Sequence, residues 1–151
     1  MNYEVVSLEE KIVAGVAART SNDSPEMGKV IGGLWQKLFA EGIFMQIKDV
    51  ANEKSIGLYT DYAGSQHEEY MVVVGREVKT EEQELENIAV TKIPAGNYAK
   101  FIVRGDVQKD VAKLWEELPK MGLARTYVCD FEEYQDGDME QAEIHIYIGI
   151  E

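Results

Sequence analysis

The 151 residues carry 28 acidic against 15 basic side chains, a formal net charge of −13, and 45% of them are hydrophobic. That length suits one domain or two small fused units, with enough apolar side chains for a buried core. A negative field with no lysine or arginine stripe repels a phosphate backbone, so direct nucleic-acid binding is disfavoured, whereas a cationic ligand is attracted.

The single cysteine, Cys129, excludes an intrachain disulfide and a cysteine-based metal cluster, and its apolar setting predicts a buried thiol. The N-terminal stretch MNYEVVSLEEKIVAG has no processing signature. No apolar run reaches the roughly 18 residues of a spanning helix, so no membrane association and a cytoplasmic location are expected. His67 and His145 are the only histidines and sit in no ligand-spaced cluster. Neither a metal nor a cofactor is expected.

In chain order, an extended segment from Glu4 to Thr20 comes first. Ser24-Pro25 then reads as an N-cap followed by proline at the first helical position. Met27, Ile31, Leu34, Trp35 and Leu38 form a helical stripe that Gly42 ends. Gly32-Gly33 either weakens that helix or lets a strand approach closely. IGLYTDY and YMVVVG follow as strands, closing at Gly75. A second extended segment, Asn87 to Gly105, is bent at Pro94 and reads as a long edge element. Asp106 can cap a second helix with the stripe Val107, Val111, Leu114, Trp115 and Leu118, ended near Gly122. RTYVCDF and IHIYIG then follow as strands, closing the second half at Gly149.

The second stripe is the first displaced by 80 residues, Leu-Trp pair included. The predicted fold is α+β: a tandem βαββ repeat, antiparallel in its final strand pairs, with two principal helices on one side of the sheet. The halves span about 1–80 and 85–151, matching Asp61 with Asp130 and Tyr62 with Phe131. An isolated half would expose an apolar sheet face, so residues 1–151 are expected to pack as a single domain.

Within YVCDFEEY, alternation puts Tyr127, Cys129 and Phe131 on one face, for the Trp115 helix to cover. Val128, Asp130, Glu132 and Tyr134 share the other. In the last strand Ile144, Ile146, Ile148 and Ile150 form a buried row, with Glu143, His145 and Tyr147 opposite. Bringing these polar and aromatic faces together with Tyr59, Asp61, Met71 and Val73 would make a mixed aromatic and acidic cleft between the halves. Its candidate ligand-binding residues are Tyr59, Met71, Glu132, Tyr134, His145 and Tyr147. Trp35 and Trp115 are core anchors whose ring edges are available to a ligand. For Asp130 and Glu133 a solvent-facing sheet is the simpler reading, and spacing leaves Glu132 open between the two.

Several stretches resemble the GyrI-like effector-binding domains, which also form the ligand-binding part of AraC-type and MerR-type transcription regulators. GVAARTSND is similar to the family's first-strand ending, and IGLYTDYAG followed by EEYMVVVGREV to its first strand pair. VTKIPAGNYAKFIVRG resembles the Pro-Ala-Gly-x-Tyr segment before the second helix. LWEELPKMGL, DFEEY and IHIYIGI complete the pattern over nearly the whole chain. The resemblance implies a central groove for small, aromatic or cationic molecules, with Glu132 as the buried glutamate that contacts them and Tyr134 beside it. Gly149 departs from the proline the family often has there. With no helix-turn-helix segment in view, the resemblance implies a stand-alone binding or sequestering protein, or one acting through a regulator. Two alternatives accompany it. One is a hydrolase of strained, cyclopropane-containing compounds, with Glu132 directing water and Tyr134 or Tyr147 donating a hydrogen bond. The other is a modulator of a protein partner such as a topoisomerase.

Overall fold

A computed structural model describes residues 2–64, 68–136 and 141–151. Among these residues eight strands form one antiparallel sheet: β1 (Glu4–Leu8), β2 (Lys11–Thr20), β3 (Ser55–Thr60), β4 (Tyr70–Val78), β5 (Ala89–Ile93), β6 (Gly96–Gly105), β7 (Arg125–Tyr134) and β8 (Ala142–Ile150). Their spatial order is β1-β6-β8-β7-β3-β4-β2-β5. Two principal helices pack against the sheet, α1 (Met27–Ala40) and α3 (Lys109–Glu117), with a short α2 (Ile43–Gln46) after the first. The α+β fold with its large antiparallel sheet and paired helices is the one the sequence predicts.

The two long extended segments turn out to pair with each other. Leu8 lies opposite Gly96 at the end of the β1–β6 ladder, and Lys11 opposite Ile93 where the β2–β5 ladder resumes in the same register. Both chains break at the same place, Glu9-Glu10 in one and Pro94-Ala95 in the other. Pro94 has no N–H to give to a ladder, which accounts for the interruption on its side. The bend was expected in an edge element. Instead β5 is the edge, and β6 lies inside the sheet between β1 and β8.

Because β1 and β2 are two residues apart yet near opposite ends of the sheet, the sheet bends round until its ends meet. Its inner face holds one core, with Val13, Ile56, Leu58, Ile93, Tyr98, Phe131 and Tyr147. The outer face carries two more, one under each helix. Leu34 and Leu38 of α1 meet Val16, Val72 and Val74. Val111 and Leu114 of α3 meet Phe101, Ile144, Ile146 and Ile148, the isoleucine row the sequence predicts.

The helix ends differ in quality. Asp106 caps α3 as expected: its Oδ1 accepts from the N–H groups of Gln108 (2.9 Å) and Lys109 (2.8 Å). Asp110 Oδ2 accepts in return from the Asp106 N–H at 2.7 Å. Ser24 Oγ, by contrast, accepts from the Glu26 N–H at 3.2 Å in the turn before α1, which starts at Met27 without a side-chain cap. Gly42 and Gly122 adopt left-handed φ values of 71° and 67°. Gly32 and Gly33 face outward with nothing near where a Cβ would stand, so no strand approaches them.

The repeat is real in its architecture, but its register differs from the one read off the sequence. Tyr59 and Tyr134 are the structural mates, because Tyr59 meets Trp115 as Tyr134 meets Trp35 (ring centroids 5.4 and 5.2 Å). The pseudo-two-fold axis therefore passes through the cross-strand pair Gly57 and Glu132 on the central strands β3 and β7. Asp61 and Asp130 are not equivalent. A bulge in β7 between Arg125 and Asp130, with Tyr127 at φ 53°, displaces the simple alternation there.

Candidate ligand-binding site

Glu132 lies on the outer face of the sheet, on the central strand pair, where side chains from α1 and α3 converge. Helical spacing turns Trp35 and Trp115 down toward that pair from either side. The carboxylate is 2% exposed. Its Oε2 accepts from Trp115 Nε1–H at 2.7 Å, and its Oε1 from Tyr134 O–H at 2.7 Å and Tyr59 O–H at 3.2 Å. Among the described residues, every one of these donors is neutral.

Burial raises the Glu132 pKa, and the hydrogen bonds from Tyr134, Trp115 and Tyr59 pull it partly back. The same burial, together with the Glu132 charge, holds the Tyr59 and Tyr134 hydroxyls well above the ordinary phenol range. Tyr70 is pushed up to about 12, by desolvation first and by Glu132 second. The phenols therefore stay protonated and act as donors. The rings pack edge to face around the carboxylate: Trp35 on Tyr134 at 82°, Tyr59 on Trp115 at 71° and Tyr59 on Tyr70 at 73°. What results is an aromatic cage about a desolvated carboxyl group.

Of the eight residues picked out in sequence, Glu132, Tyr134, Tyr59, Trp115 and Trp35 meet in this cage. Tyr147, Met71 and His145 do not. Tyr147 stacks on Phe131 in the inner core (4.5 Å, 12°), and Met71 packs against the same core. His145 pairs with Glu143 at 2.8 Å. The error was one of face: α3 covers the Glu132 side of β7, while Cys129 and Phe131 turn inward. His67 lies outside the described residues. Tyr70 and Gly57 were not picked out. A lone glycine inside the strand IGLY was the available signal, since such a residue marks a close approach.

The two carboxylates read as solvent-facing are also buried. Asp130, 0% exposed, accepts from Tyr62 O–H (2.6 Å), Arg125 Nη2–H (2.9 Å) and the Gly149 N–H (2.9 Å). Glu133, 8% exposed, points away from the cage toward Gln135 (2.9 Å) and Lys54 (3.6 Å). Among the described residues no group of three or more His, Cys, Asp or Glu could hold a metal ion. Nor is any helix there long and apolar enough to cross a membrane.

Residues 4–150 match the family model described as Cass2, integron-associated effector binding protein. The chain belongs to this family. Cass2 membership makes it a small-molecule effector-binding protein related to the GyrI-like regulatory domains, and it gives the hydrolase alternative no support. Among solved structures, an integron cassette protein from the mobile metagenome of Vibrio cholerae is similar at 25% identity and TM-score 0.77. The match covers 99% of this chain and 95% of that one. A protein solved bound to tetraphenylphosphonium shares the fold at 19% identity and TM-score 0.81, over 100% and 94% of the two chains. So does a putative transcription regulation protein from Staphylococcus aureus MU50, at 20% identity and TM-score 0.76, over 98% and 97%. No curated protein sequence matches the chain significantly.

Proposed function

We propose that the effector is an aromatic or otherwise delocalised monocation, held in the Trp35, Tyr59, Trp115 and Tyr134 cage with its charge against Glu132. One observation carries this reading: a carboxylate 2% exposed whose hydrogen-bond donors, among the described residues, are all neutral. Desolvating a carboxylate is costly, and neutral donors offset that cost only in part. A cation entering the cage supplies the missing charge, and ring faces suit a diffuse or alkyl-shielded positive charge better than a compact, strongly hydrated one. The likeness in fold to a protein that binds tetraphenylphosphonium supports the choice of ligand class.

Fluorescence titration tests it, since two tryptophans line the site. Tetraphenylphosphonium is expected to bind, and its uncharged isostere tetraphenylmethane to bind far more weakly. Glu132→Gln keeps the side-chain volume and removes the charge. A charge-assisted contact is worth roughly 1.5–3 kcal/mol, so affinity for the cation falls about tenfold or more. Glu133→Gln, outside the cage, is the matched control. Equal losses in the two variants would mean that the general acidity of the surface attracts the ligand, and the specific role of Glu132 would be lost.

A further inference from the structure

We infer that the cage selects monocations whose charge lies between two aryl groups, and that Gly57 is the residue that sets this preference. The inference rests on the cation-binding reading above and adds to it a shape and a second determinant.

Its basis is the position of the site on the pseudo-two-fold axis. Two lobes flank that axis, Trp35 with Tyr134 and Trp115 with Tyr59, with nearly equal ring separations of 5.2 and 5.4 Å. The two tyrosines, mates under the axis, both donate to the same oxygen, Oε1 of Glu132. The tyrosines of the two lobes therefore meet the carboxyl group alike, while Trp115 also donates to its Oε2. The charge does not repeat: Glu132 has Gly57 as its cross-strand partner and symmetry mate. One carboxyl group thus sits centrally between two aromatic lobes.

Gly57 is what leaves room for this arrangement. A Cβ there would lie 3.1 Å from Glu132 Oε1, 3.2 Å from Trp35 Cζ2 and 4.0 Å from Tyr134 Cε2. All three are side-chain atoms of the cage, so the crowding falls on the site and not on the strand backbone. A ligand charged at its centre can set the cation against Glu132 and one ring in each lobe. A ligand charged at one end reaches Glu132 with its head and must place both rings in the same lobe.

Two isomeric probes separate these cases. Dibenzyldimethylammonium has its charge between two rings, while (4-phenylbenzyl)trimethylammonium has the same atoms and charge with both rings on one side. Titration is expected to show the first binding about tenfold tighter than the second. Gly57→Ala should erase most of that ratio, with circular dichroism and the melting temperature reporting an intact fold. Tyr59→Leu and Tyr134→Leu, one from each lobe, should each reduce the ratio, and this pair decides the matter if Gly57→Ala fails to fold. Isomers that bind equally, while Glu132→Gln still weakens both, overturn the two-lobe inference and leave the cation reading standing. A ratio that depends on one lobe alone overturns it too. If neither isomer nor tetraphenylphosphonium binds, the cation reading fails, and this inference with it.

Discussion

Adjacent carboxylates on β7 meet different surroundings because a strand turns successive side chains to opposite faces. Glu133 has Lys54 and Gln135 as partners, whereas the donors to Glu132 among the described residues are phenols and an indole. Burial raises the folded-state pKa of Glu132 above its unfolded value. A carboxyl of this kind binds its proton more tightly when folded, so stability falls as pH rises from the unfolded glutamate range, about 4.3, through the raised folded value. Above that value, ionised Glu132 costs stability. Glu132→Gln should therefore melt higher than the wild type at pH 7, at about 3 °C for each kcal/mol recovered, and the gap should close near pH 4. Calorimetry across this range checks the sign; a variant less stable at pH 7 than the wild type would show that the donors outweigh burial. Cation affinity should run the other way. It weakens as pH drops through the same window, because proton and ligand compete for one carboxylate.

The two helices that frame the cage are unequally built. The reciprocal Asp106 and Asp110 hydrogen bonds start α3 sharply, and Trp115 is pinned to Glu132 through its indole N–H. By contrast α1 starts without a side-chain cap and carries Gly32-Gly33 on its exposed face. Glycine in a helix interior costs up to about 1 kcal/mol relative to alanine, chiefly through the freedom it gives the unfolded chain. Since a Cβ at Gly32 meets nothing, Gly32→Ala should stabilise the protein by roughly 0.5–1 kcal/mol in urea denaturation. A neutral or destabilising result would show that this face of α1 is in contact with something that a methyl group disturbs. Sequence already pointed to both helices and to the Asp106 cap, because local spacing and capping chemistry dictate them. It also allowed a close approach at Gly32-Gly33, which the packing refuses.

At the scale of the whole molecule, the halves exchange their first strands. β1 pairs with β6 of the second half, and β5 pairs with β2 of the first. The central ladder joins β3 to β7, so each half-sheet is bordered on both sides by the other half. A chain ending near residue 80 would lose partners for β1, β2 and β3 at once, and would open the inner core shared by Val13, Ile93 and Tyr98. Residues 1–80 expressed alone should therefore show neither cooperative melting nor a fixed tertiary signal in near-ultraviolet circular dichroism. Mixed with residues 81–151, they should recover both. Independent folding of the first half would show that the exchanged strands add little, and would return the molecule to two autonomous units.

Hydrophobic period and turn chemistry alone determined the α+β class, the two helical stripes, the antiparallel strand pairs and the repetition itself. Those signals are local, and a strand or helix of the right period has few other places to bury its apolar side. Resemblance in DFEEY singled out Glu132, which the spacing by itself had left undecided. Which face of β7 the α3 helix would cover was a tertiary decision. Alternation tells that Cys129 and Phe131 oppose Glu132, but both faces of a sheet that bends round on itself are buried, so neither declares itself the solvent side. That is why Tyr147 and Met71 entered the inner core, and why Asp130 found Arg125, Tyr62 and Gly149. The mating of Gly57 with Glu132 likewise depended on the β3–β7 register and on a bulge that no single-strand pattern announces. The acidity of the site was legible because it belongs to one residue; its symmetry was not, because it belongs to the pairing of two strands from different halves of the chain.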